Sequence, residues 1–105
     1  MLSDNSTLSG SKLVSTYSVA TDSNYSIPAA GTVTQLSAIT AARTLTLPSA
    51  TVNSGKVLTI VNRNTATFSW NVAAPYYRNV DGTNIIAVPS NTTHVLVSDG
   101  ALWRL

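Results

Sequence analysis

Four aspartates and one histidine are the side chains here that could do acid–base chemistry near neutral pH: Asp4, Asp22, Asp81, Asp99 and His94. Glycoside hydrolysis needs two carboxylates held close together, one with a raised pKa. Asp81 and Asp99 are the pair that could meet, yet each stands directly before a glycine (Gly82 and Gly100). Aspartate is favoured in such turns because it caps its own backbone, so turn duty is the expectation for both. A metal site at His94 would need further donors, and the chain has no cysteine and no glutamate to supply them. Serines are plentiful, but they form no G-x-S-x-G elbow and no histidine-linked triad. The expectation is a protein that is not an enzyme and uses neither metal nor cofactor.

Binding chemistry is the alternative, and aromatic side chains would carry it. Trp70 shares parity with Phe68 and Val72, and Trp103 with Ala101 and Leu105, so both indoles read as core. Tyr76-Tyr77-Arg78, between Pro75 and the Asp81-Gly82 turn, reads as an exposed contact loop. Loops carrying aromatic and arginine side chains are enriched in binding hot spots. The six Lys and Arg residues are scattered, and the net charge is only +2. No cluster could neutralise a row of phosphates, which argues against nucleic acid as partner.

The elements that must position these residues follow from composition and periodicity. Charged residues are 10% of the chain, against about 25% in typical soluble domains. Helix surfaces draw on Glu, Lys and Ala, whereas strands draw on Thr, Val and aromatics, so the missing Glu and abundant Thr argue for strand. No apolar run approaches the ~18 residues of a membrane helix, and the N-terminus lacks the basic and apolar regions of a secretory signal. Residues 1–12 are polar with isolated leucines and read as an extended arm, with Leu2 and Leu8 as its contact residues. A β domain then occupies 13–105.

Within that domain, alternation begins at Leu13 and runs to Ala20. It returns at 32–36 and again at Arg43-Thr44-Leu45-Thr46-Leu47, which Pro48 stops. Val57 to Val61 is apolar on both parities, as expected of a central strand covered on both faces. Asn62-Arg63-Asn64 reads as a turn, and the stretch 37–42 as at most one helical turn. Ser98-Asp99-Gly100 is a tight hairpin signal before the final strand. Short strands at regular spacing predict an all-β fold, an antiparallel sandwich or a small jelly-roll-like domain.

One ordered set of motifs goes further. Arg43-x-Leu45-x-Leu47-Pro48, then Gly55-Lys56-x-Leu58-x-Ile60-x-Asn62, then Ser98-Asp99-Gly100-x-x-Trp103 resembles small β modules of bacteriophage virion proteins, over about residues 32 to 105. Such modules recur in tail fibres, head fibres and capsid decorations. The resemblance implies a homotrimer packed about a threefold axis, with its last strand carrying Trp103. It also implies structural duty for Leu47, Pro48, Gly55, Lys56, Asp99, Gly100 and Trp103. The chain is short for a tail fibre, so the expectation is a capsid decoration (cement) protein or short head appendage. Its partners would be copies of itself and capsid or other virion proteins, and its location the virion, after assembly in the host bacterial cytoplasm. The alternative is a carbohydrate-binding receptor module of a tail fibre, with Tyr76 and Tyr77 stacking on glycan rings. Low charge suits a surface that other subunits cover, because burying an unpaired charge is costly.

Overall fold

Period-two alternation does become strand here, but the strands pair in a way that alternation cannot specify. The computed structural model describes residues 16–29, 32–65 and 67–105. The chain runs β1 (Tyr17–Ala20), β2 (Tyr25–Ser26), β3 (Val33–Leu36), β4 (Arg43–Thr46), a 3-10 turn (Thr51–Asn53), β5 (Val57–Asn62) and β6 (Trp70–Val72). It continues as β7 (Tyr77–Arg78), β8 (Asn84–Ile85), β9 (Ala87–Val88), β10 (Thr92–Ser98) and β11 (Trp103–Arg104). The expected all-β class is the one found.

Two sheets form, a large one in the order β1-β3-β5-β10-β11-β7-β8 and a small one in the order β2-β4-β6-β9. As far as β6 the chain alternates between them. β1, β3 and β5 are parallel neighbours in the large sheet, as β2, β4 and β6 are in the small. The expected antiparallel sandwich or jelly roll is therefore corrected to a mixed-sheet coil. Parallel neighbours need a crossover, and here the crossover is a strand of the opposite sheet rather than a helix. A strand's own alternation is the same whichever way its neighbour runs. Antiparallel pairing enters later: β10 lies against β5 and β11, β9 against β6, and β8 against β7.

Each sheet gives one face to a shared core. Leu36, Leu58, Ile60 and Leu96 of the large sheet meet Leu45, Trp70, Val72 and Val88 of the small. Trp70 and Trp103 are buried as expected. Their indole N–H groups donate to the carbonyls of Ser37 (2.9 Å) and Pro48 (2.8 Å), so neither indole is buried with an idle donor. Phe68 does not join them: it precedes β6 and is 46% exposed. No helical turn forms over 37–42; that stretch is irregular, with Ile39 turned into the core.

β5 is central, between β3 and β10, as its apolar run predicts. Its double cover is not found among the described residues. Leu58 and Ile60 are buried, whereas Val57 on the other face is 48% exposed. The supposed turn residues Asn62 and Asn64 are buried instead. Asn62 Nδ2 donates to the carbonyls of Val88 (3.1 Å) and Pro89 (3.0 Å), and its Oδ1 accepts the Asn64 N–H (2.9 Å). One amide thus ties the end of β5 in the large sheet to the end of β9 in the small.

Replacing Trp70 by alanine is expected to cost about 3–5 kcal/mol of stability. Phe68→Ala is expected to cost under about 1 kcal/mol. Urea unfolding of the two variants measures both; equal losses would put Phe68 in the core after all.

Candidate interaction surface

The outer face of the large sheet is built by the residues that alternate with its core positions. Tyr17, Val33, Thr59 and Val95 lie in one cross-strand row, and Val19, Gln35, Val61 and Thr93 in the next. Val57 stands opposite Val97 at the row toward β11. None of these side chains is charged. Tyr17, Val19, Val57, Val95 and Val97 are 58%, 41%, 48%, 51% and 45% exposed. Scattered exposed valines would be ordinary, but these lie on β1, β5 and β10 of one face, with the half-buried Val33 of β3 between them, and contiguous apolar patches mark interaction sites. The Tyr17 hydroxyl donates to Gln35 Oε1 across the β1–β3 pair (2.6 Å), so even the polar members satisfy one another within the face. At the β11 margin charge returns, with Arg104 Nε paired to Asp99 Oδ2, and beyond the end of β5 the exposed Arg63 follows Val61 at the same parity.

A second feature lies where the first and last motif segments meet the loop at 73–76. An open cleft of about 280 Å³ is walled by residues 46–51, residues 73–76 and residues 101–103. Trp103 and Pro48 both line it, and the Trp103 indole N–H donates to the Pro48 carbonyl. Ser98 Oγ donates to the Ala50 carbonyl (2.6 Å), and the Gly55 N–H donates to the Ser98 carbonyl (2.9 Å). Gly55 and Gly100 have φ of +80° and +94°, which glycine adopts without strain. At Gly100 an added Cβ would also stand 3.3 Å from Ser54 Oγ. Leu47 packs half-buried against the core, and Lys56 reaches back so that its Nζ donates to the Ala29 carbonyl. The motif residues Leu47, Pro48, Gly55, Lys56, Asp99, Gly100 and Trp103 are thus brought into one neighbourhood, where they join loops of the two sheets.

The contact residues expected from sequence separate. Leu2 and Leu8 lie outside the described residues. Tyr76 is half-buried on the cleft wall, with φ of 63°, and Arg78 is half-buried with Nη1 donating to the Pro75 carbonyl (2.9 Å). Tyr77 is a correction: it is fully buried in β7, its hydroxyl 2.9 Å from His94 Nδ1 and its ring edge-on to the imidazole. Pairing of β7 with β11, Tyr77 beside Trp103, turns it inward. No two-ring platform for a sugar therefore forms at 76–77. The outer face went unrecognised in the sequence because its valines share the parity of ordinary strand residues; the apolar run of β5 on both parities was the available signal.

The aspartates hold loops. Asp81 Oδ1 accepts from the Thr83 hydroxyl (2.7 Å) and amide (3.0 Å), which hold its carboxyl below the usual range. Asp99 is lowered too, by the Arg104 guanidinium first and then by the Leu102 and Ala101 amides. Asp22 is lowered by the Thr40 hydroxyl and amide and by Arg43, tying the first turn of the coil to the second. Burial alone pushes the Tyr77 phenol up and the His94 imidazole down. The cleft is lined by neither carboxylate nor imidazole among the described residues.

No protein-family model, curated protein or solved structure matches this chain.

The His94 shift has a sign that can be measured. Its folded pKa lies below an unfolded value of about 6.5, so the folded state binds fewer protons between the two. Stability present above about pH 6.5 is therefore lost as pH falls through the lowered folded value. Thermal or urea unfolding should show that decline, and His94→Gln should flatten it; an unchanged slope in the variant would remove His94 as its source.

Proposed function

We propose that this chain is a structural module of a bacteriophage particle. It associates with copies of itself and with shell or appendage proteins through the outer face of its large sheet, as a decoration or short head appendage. The observation that carries the reading is the charge-free face on β1, β3, β5 and β10, with valines and a tyrosine exposed on it. Such a face can be covered by protein without burying an unpaired charge. The phage context comes from the motif set alone, and those residues serve here as the joint between the sheets.

The mechanism is mass action. A subunit that binds only the assembled shell stabilises it by RT ln(1 + [L]/Kd), about 2.7 kcal/mol at a hundredfold excess over Kd. The glycan alternative loses its stacking pair with Tyr77 inside the core.

Val95→Lys places an ammonium in the middle of the face. At a half-exposed strand position it should change the stability of the isolated subunit by no more than about 0.5 kcal/mol. Self-association and co-sedimentation with phage particles lacking the protein are both expected to be lost. Wild-type association retained by Val95→Lys would refute the face. An unaltered protein that self-associates but binds no particle would refute the virion assignment alone.

A further inference from the structure

The large sheet ends in β1 and β8, and the small sheet in β2 and β9. Three of these four edges are blunted. β2, β8 and β9 are two residues each, with Pro28 soon after β2 and Pro89 directly after β9. The Asn62 amide also occupies the carbonyls of Val88 and Pro89. Shortness, proline and covered carbonyls are the usual means of keeping an edge from pairing. β1 has none of them: Tyr-Ser-Val-Ala is four residues long, without charge or proline.

Its open side can be assigned from the ladder with β3. The Val33 N–H donates to the Thr16 carbonyl (3.0 Å) and the Ser37 N–H to the Ala20 carbonyl (3.0 Å). In a parallel pair, alternate residues of a strand turn their backbone groups to a given neighbour. Thr16, Ser18 and Ala20 therefore face β3, and the N–H and C=O groups of Tyr17 and Val19 face the edge, where no pairing occurs among the described residues.

We propose that β1 pairs antiparallel with β1 of a second copy, about a twofold axis through Ser18. Tyr17 then stands opposite the partner's Val19, and Val19 opposite the partner's Tyr17. Each is a hydrogen-bonded pair that uses both edge-facing groups of both residues. A twofold copy brings the same donors and acceptors at the same spacing, and such isologous contacts are the commonest way soluble chains pair. The exposed Tyr17 and Val19 side chains of both copies then lie on one continuous sheet, joining the two outer faces. The inference rests on the reading of that face as a protein contact and adds the strand that joins the copies.

Val19→Pro tests it, because it deletes an edge-facing N–H and leaves the β3 ladder intact. Sedimentation equilibrium is expected to show self-association weakened at least about tenfold, with an unchanged circular dichroism spectrum. In the unaltered protein, hydrogen exchange at the Tyr17 and Val19 amides should slow as concentration rises. An unchanged association constant in Val19→Pro overturns the proposal, as does exchange at these two amides that ignores concentration. Should Val19→Pro not fold, the exchange measurement decides by itself. Val95→Lys separates the two readings: assembly lost there but intact in Val19→Pro removes the edge contact, and the converse removes the face.

Discussion

A strand can give only one of its faces to the core of a two-layer protein. In the small sheet the consequence is mild, since the residues alternating with Leu45 and Val72 are Thr44, Thr46, Asn71 and Ala73. In the large sheet the alternating set is valine-rich, and no third layer lies over it among the described residues. Roughly 25 cal/mol is forgone for each Å² of apolar surface left in water. The outer face therefore holds unspent driving force for association, unopposed by any charge within β1, β3, β5 and β10. Its hydroxyl and amide members add no desolvated charge when covered.

The coil also explains why so small a chain can hold its strands in order. Asp22 grips Thr40 and Arg43, and the Asn24 carboxamide accepts the Thr44 N–H, so each tie spans one turn of the coil. Ser98 and Trp103 then draw the last hairpin against the loop at 48–50. The low charge count leaves few competitors for those contacts. The cost is dependence on a few hydrogen bonds at buried sites, where Ser98, Asn62 and the two indoles have specific carbonyl partners.

How much of this was legible depends on which physical rule each residue obeys. Trp70, Leu45 and the Asp99-Gly100 hairpin obey local rules of parity and turn chemistry, and the sequence places them correctly. Phe68 satisfies the same parity as Trp70 but falls before the strand begins, and parity carries no information about where pairing starts. Tyr77 sits between Pro75 and a turn, which reads as loop, yet pairing with β11 makes it strand and buries it. Strand direction was invisible for a related reason: the crossovers are themselves strands, so no helix announces a parallel sheet. Asn62 reads as a turn former, and its Oδ1 does take the Asn64 N–H two residues on, but its buried partners at residues 88 and 89 lie beyond the local window.

The central claim is that the outer face of the large sheet is made to be covered by protein. The mass of the unaltered protein in solution, measured by analytical ultracentrifugation across a wide concentration range, tests it most directly. The account predicts a species at a multiple of the 11.0 kDa chain mass that dissociates on dilution. A single 11.0 kDa species at every concentration, with no affinity for any assembled particle, would contradict it.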